Sequence, residues 1–542
     1  MVRMLPLALA LLATPALAQT APQTAPQTPA SLPADQAAMK AHVMFLASDA
    51  MRGRDAGSGE YDIAAQYVAA QFYAAGLRPM GDDGGYLQAV KLLGYKPAGE
   101  GMLRWTPAGG AARPLVFGSD YIPAADPGAA TTRIAAPVVF VGHGLEAPAY
   151  GLDAYRGIDV RGKIVAYVGG APAGLPSEVA ATFGGADARL RAAAAHGAVG
   201  AIALADLRAA SRGSPTFAAT KDGFAGERVT WATPAGVGGG GVPIPLLATL
   251  SPAGAAKLFG ARWPLVRQAG RMVKPVEAKG TLAVDTATTF RPFASSNVVG
   301  MLPGSDPALA KEVVVLSAHL DHVGVGKPVD GDAIYNGALD DAIGIASLIE
   351  EAKRFKAAGT APKRSILFLA VTAEEKGLVG SDWFVNHPPV PIADVVADVN
   401  LDMPVLTYPF QDMIAFGGDR STLGPIIARA TAALGVTLSP DPIPEMSIFV
   451  RSDHYNFVRK GVPSIFLWPG MKGPGKAAFE AFMSRCYHRP CDDLSQPILW
   501  DQGVRFVDAN YRIAREIADA ADRPRWNKGD YFGTLYGGPM AK

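Results

Sequence analysis

Glu374 and Glu375 stand side by side in TAEEKG, where the apolar run SILFLAV ends. Two like charges closing a buried run repel unless something positive sits beside them. Similar groups recur along this half of the chain. SAHLDHVG offers His319 and Asp321, NGALDDAIG offers Asp340 and Asp341, NLDMP offers Asp402, and RSDHYNF offers His454. Each has a plain structural reading when taken singly. Asp340 or Asp341 suits a helix N-cap, His454 suits a core histidine, Asp321 suits a partner for a nearby base, and the glutamate pair suits a solvated turn. Brought together, such groups would remain unpaired at several kcal/mol each unless cations lay between them. Histidines and carboxylates without thiolates suit zinc in a catalytic role, with coordination positions left for water and substrate. HExxH does not occur, which excludes the metalloprotease helix of that pattern. Two metals would need one shared carboxylate, an arrangement that polarises a carbonyl.

The elements that must position these groups follow from periodicity. From about Ser295 the chain alternates apolar runs with helical patterns: EVVVLSA, SILFLAV, VVADVNLD and VPSIFLW read as strands. Apolar runs without alternation, such as EVVVLSA and SILFLAV, suggest strands covered on both faces, as in a parallel or mixed sheet flanked by helices. Between the first two, Ile345, Leu348, Ile349, Ala352 and Phe355 form a helical stripe that Gly359 closes. GLVGSDWFVNH and TLGPIIARATAALG read as further helices. The reactive groups fall at the C-terminal ends of the strands or open the next helix, which is the edge where open α/β sheets bind ligands. Upstream, ADQAAMKAHVMFLASD and GEYDIAAQYVAAQFYAAGL carry helical spacing, and residues 131–284 have a different, β-rich texture. The glycine-rich GVGGGGVPIP within that segment lacks the strand-and-helix context of a phosphate loop and reads as a flexible loop.

The chain has 542 residues, more than one core usually supports, so two folded domains are expected. Charged residues make up 18% with a net charge of +1, which gives no field for nucleic acid or a polycation. Residues 1–18 have a basic start, a short apolar run and Ala16-Leu17-Ala18, which reads as a signal peptide directing export to periplasm or medium. Residues 19–33 form a Pro/Gln/Thr-rich tether, and no segment reads as a membrane span. The cysteines, Cys486 and Cys491, share one loop and in an oxidising compartment could pair as a disulfide.

HLD, DDAIG, EEKGLVGS, NLDM and SDHYNF, in this order, resemble the family of secreted di-zinc aminopeptidases, which includes the leucine-type enzymes of Streptomyces and Aeromonas. The resemblance implies the zinc exopeptidase fold, an α/β fold with a mostly parallel mixed sheet. It divides the chain into an N-terminal part of the peptidase domain at 34–130, an inserted protease-associated domain at 131–284, and the main catalytic part at 285–542. It further implies two zinc ions per chain, with His319 and Asp402 on one, Glu375 and His454 on the other, and Asp340 bridging. Glu374 would be the general base, and Asp321 would orient His319. Asp341 stands where relatives often carry Asn and is expected to cap or support. CYHRPCDD resembles the family's Tyr-His element, so His488 could line the pocket or serve only packing. The implied activity is removal of N-terminal residues from peptides with a free N-terminus. A same-fold carboxypeptidase, a glutaminyl cyclase and a non-catalytic receptor-like protein stay open as alternatives.

Overall fold

Along Val313–His319 the side chains of Val314, Leu316 and Ala318 enter one apolar cluster, while Val313 and Val315 enter another on the opposite face. The same alternation divides Ser365–Val371, where Ile366, Phe368 and Ala370 face one way and Leu367, Leu369 and Val371 the other. This is the period-two geometry of a strand buried on both sides, and it fixes a sheet between two helical layers. One layer includes Ala34–Leu46, Gly59–Ala74, Ile343–Ala357, Leu423–Ala432 and Trp500–Asp519, and the other includes Val379–Asn386 and His454–Val458. The computed structural model describes residues 31–172, 174–207, 216–234, 236–238, 241–268 and 275–542. The expected signal peptide, and the tether as far as residue 30, lie outside the described residues, as does part of the glycine-rich loop.

Ser365–Val371, Val313–His319, Val395–Leu401 and Ser464–Pro469 pair in that order, all parallel. Antiparallel strands flank this centre. Asp412–Phe416 extends it on one side, and the end of Val276–Leu302, Leu87–Pro97 and then Arg228–Thr233 extend it on the other. Register determines the working edge. His319 lies opposite Val371 and Ala318 opposite Leu401, so His319, the turn after Val371 and Asp402 all leave the sheet at one level.

Val276–Leu302 is 27 residues long and belongs to two sheets. Its first half pairs with Met102–Pro107 and Thr131–Phe140. From Thr131–Phe140 the second sheet continues through Ile164–Val168, Gly200–Leu204, Leu246–Leu250 and Tyr121–Pro123. Residues 102–123 therefore belong with the second sheet, and the boundary expected at 131 moves back to about 98, after Leu87–Pro97. Arg228–Thr233 departs in the other direction, leaving the second unit to pair with Leu87–Pro97 of the first. A change of composition marked the interior of this unit, but strand pairing decides its edges.

Candidate metal centre

Asp340 lies between two groups of donors. Its Oδ1 is 3.1 Å from Nε2 of His319, and its Oδ2 is 3.2 Å from Nε2 of His488. On the first side, Asp402 Oδ1 approaches His319 Nε2 at 3.3 Å. On the second, Glu375 Oε2 lies 3.1 Å from His488 Nε2, and Glu375 Oε1 lies 2.7 Å from Nδ1 of His322. The donor atoms of His319, Asp340 and Asp402 all fall within 4.8 Å of one another, as do those of His322, Asp340 and Glu375.

Five segments bring these groups together, and three of them are tied to one another. Asp340 and Asp341 precede Ile343–Ala357 in a turn whose φ/ψ values, −122/87 and −133/38, are not helical, and the peptide between them is cis. Gly337 enters that turn at φ 62, and a Cβ there would stand 2.3 Å from the carbonyl oxygen of Asp340, so glycine is required. Asp341 is a support. Its Oδ1 accepts from the backbone N–H of Gly344 at 3.1 Å and of Met403 at 3.0 Å, tying the helix start to the loop that carries Asp402. The disulfide of Cys486 and Cys491, with Cα atoms 5.1 Å apart, closes the third loop around His488. Asp492 follows, and its carboxylate accepts from the backbone N–H of Leu339 and Asp340 at 2.8 and 3.0 Å. The loop bearing His488 is thereby fastened to the turn bearing Asp340.

Two expected roles change. His454 does not reach either donor group: its Nε2 donates to the carbonyl of Phe449 at 2.6 Å, and its ring packs against Phe449 and Phe466. Burial lowers its pKa to about 3, as suits a neutral core histidine. His488 stands beside Glu375 in its place, although a loop outside the regular elements gave the sequence reading no way to aim it. Asp321 also acts differently. Its backbone carbonyl, not its carboxylate, meets Nδ1 of His319 at 3.0 Å, while the carboxylate accepts from the backbone N–H of Glu374 at 3.0 Å and Glu375 at 3.3 Å. Asp321 thus sets the glutamate turn directly and His319 through the main chain.

Charge is concentrated here. Burial opposes the charge of His319, but Asp402 and Asp340 outweigh it and raise its pKa well above the ordinary value. Burial and Asp340 push Glu375 upward, yet His322 and His488 prevail and bring it down to about 2. Glu374 makes no ion pair among the described residues, and burial, with Asp402 and Glu375 adding, raises its pKa well above the usual range against the opposing pull of His319. Asp453, which the motif reading passed over beside His454, is fully buried and raised to about 7, chiefly by burial. A cation fits this donor set. Nε2 of His319, Nδ1 of His322 and Oε1 of Glu375 are buried within ion-pair range of opposite groups but make no well-directed hydrogen bond, as donors aimed at an ion would.

A cavity of about 50 Å³ opens at the site, lined by Asp340, Glu374, Asp402 and His488 on the polar side. Met403, Met446, Ile448, Phe466, Trp468 and Met483 make its apolar wall.

Residues 297–513 match the family described as Peptidase family M28. The chain is 32% identical over 233 residues to leupeptin-inactivating enzyme 1 of Streptomyces exfoliatus, covering 40% of this chain and 49% of that one. It is 29% identical over 212 residues to the probable leucine aminopeptidase 2 of Aspergillus oryzae, covering 38% and 39%. The chain thus spans about half, or less, of the length of these curated relatives. Its fold is that of the solved aminopeptidase from Aneurinibacillus sp. strain AM-1, with a TM-score of 0.50, 19% identity, and coverage of 90% of this chain and 95% of that one.

Proposed function

We infer that this chain, whose residues 297–513 carry the Peptidase family M28 segment, is a zinc metallo-aminopeptidase that removes N-terminal residues from peptides. The observation that carries the reading is the convergence on Asp340 of His319 and Asp402 from one side and of Glu375 and His488 from the other. These residues would hold two zinc ions with Asp340 shared. The ions would supply Lewis-acid polarisation of the scissile carbonyl and stabilise negative charge developing there.

The chain's own groups do the rest. Glu374 lines the cavity beside the shared carboxylate, and its raised pKa suits a group that takes a proton from the attacking water and returns it to the leaving amine. Asp321 holds the backbone of the glutamate turn so that the adjacent side chains divide, one toward the donors and one toward the substrate. Met403, Phe466 and Trp468 offer an apolar wall for the side chain of the N-terminal residue. The similarity to the probable leucine aminopeptidase 2 of Aspergillus oryzae supports the same class of reaction.

Export to periplasm or medium belongs to this reading, supported by the signal-like first residues and by the disulfide, which persists in an oxidising compartment. Among the described residues no helix is long and apolar enough to cross a membrane. Residues 98–287 correspond in this reading to an inserted protease-associated domain.

Turnover of amino-acid p-nitroanilides, measured with the zinc content of the same preparation, tests the assignment. Hydrolysis with about two zinc per chain is expected, and acetylation of the substrate amine should abolish it. Equal cleavage of the acetylated substrate would sink the aminopeptidase reading.

A further inference from the structure

The cavity at the metal centre does not end in the catalytic unit. Met446 and Arg451 line both it and a larger cavity of about 830 Å³, whose opposite wall is residues 171–172 and 174–185 of the second unit. That volume lies in the range, about 300–1,000 Å³, in which proteins hold small organic ligands. Its walls are fixed to each other: Arg420 pairs with Glu178 and, at 3.1 Å, with Asp530, while the hydroxyl of Tyr455 donates to Thr182 at 3.2 Å. Arg451 is exposed at the junction of the two cavities, and its guanidinium makes no ion pair or hydrogen bond among the described residues.

An aminopeptidase leaves a single residue on the N-terminal side of the scissile bond and the rest of the chain on the other. The small apolar cavity suits the single residue, and the large one suits the leaving portion. We propose that the cavity between residues 174–185 and 445–451 is the subsite for the leaving portion of the substrate, and that Arg451 binds the C-terminal carboxylate of di- and tripeptides. This rests on the aminopeptidase reading and adds a substrate class to it: short peptides with a free carboxylate. A guanidinium presents a planar fork that takes a carboxylate through two parallel hydrogen bonds. Glu445 shares the rim and disfavours a carboxylate on its own side, so the favoured position is at Arg451. A long peptide would have to carry its chain past residues 174–185 without that contact.

The experiment compares kcat/KM for Leu-Ala and its C-terminal amide in the zinc-loaded protein and in Arg451→Ala and Arg451→Lys. The wild type should prefer the free acid by about tenfold or more, the strength of a charge-assisted hydrogen bond. The preference should collapse in Arg451→Ala through KM and return partly in Arg451→Lys. An acid-to-amide ratio that is the same in wild type and Arg451→Ala overturns the proposal, even if both substrates are cleaved. Calorimetric titration with N-acetylalanine, which carries the carboxylate but no free amine, reads the subsite without turnover. Binding to the wild type that is lost in Arg451→Ala supports the subsite, and equal binding or none overturns it. If neither peptide is cleaved, the aminopeptidase reading fails, and the titration still decides whether Arg451 takes a carboxylate.

Discussion

Glu374 and Glu375 are neighbours in the chain, yet Glu375 pairs with two imidazoles while Glu374 faces the cavity and makes no ion pair among the described residues. Their substitutions should therefore fail differently. Glu374→Ala is expected to keep its zinc and lose about 10²–10⁴-fold in kcat, the usual contribution of a positioned general base, and metal analysis beside steady-state kinetics reads both. The two histidines divide in the same manner. His488→Ala should lower zinc content and affinity, because it removes a donor beside Asp340 and Glu375. His454→Ala should bind zinc as before and unfold more easily, since its ring fills space between Phe449 and Phe466. Competition with a zinc-sensitive chelator distinguishes them, and loss of metal in the His454 variant would reverse the exchange of roles found here.

At the scale of elements, Asp492 joins two loops that no strand connects. Asp492→Ala would leave the backbone N–H groups of Leu339 and Asp340 buried without acceptors, at about 1–3 kcal/mol each. The urea midpoint should fall, with zinc affinity falling alongside it, because Asp340 is carried by the same turn. Glu351, in the helix Ile343–Ala357, poses a separate question of pH. Burial raises its pKa well above the usual carboxyl value, so between the unfolded and folded values the native state holds a proton that the unfolded state has released. Its contribution to stability is full at low pH and is lost as pH rises. Glu351→Gln should therefore melt close to the wild type at pH 4 and above it at pH 8, and thermal scans across that interval check the sign. These elements also show what sequence could convey. Ile345, Leu348, Ile349, Ala352 and Phe355 declared their helix by spacing, and the apolar runs that end at His319, Val371 and Leu401 declared the strands and hence the edge where donors gather. Asp492 did not declare itself, and His488 was reached only as a residue that could line the pocket and not as a donor, because a loop closed by Cys486 and Cys491 has no period from which its direction can be read. Asp321 was recognised as a supporting group, but which of its atoms supports which neighbour depends on backbone geometry that residue types do not encode.

For the whole molecule, the question is what makes two sheets behave as one body. Val276–Leu302 runs through both, pairing with strands of each sheet. Besides the contacts of Arg420 with Glu178 and of Tyr455 with Thr182, a further connection is Arg228–Thr233, which leaves its own unit to pair with Leu87–Pro97. Trp231 anchors it: the indole N–H donates to Asp382 Oδ2 at 2.6 Å, and the ring meets Trp383 and His387 edge-on at 5.4 and 5.2 Å. Beside it Glu227 pairs with Arg291 of the long strand. Removing the indole should cost about 3–5 kcal/mol, the range for a buried aromatic cut to alanine, and the loss would fall on the joint instead of on either core. Calorimetry of the wild type should show one cooperative transition, since neither unit can unfold without breaking this strand. Trp231→Ala should resolve two transitions, the earlier belonging to residues 98–287 and the later, which zinc shifts upward, to the unit that carries the donors. A single transition merely displaced to lower temperature would mean that the long strand, together with the Arg420–Glu178 and Tyr455–Thr182 contacts, couples the units without the arm.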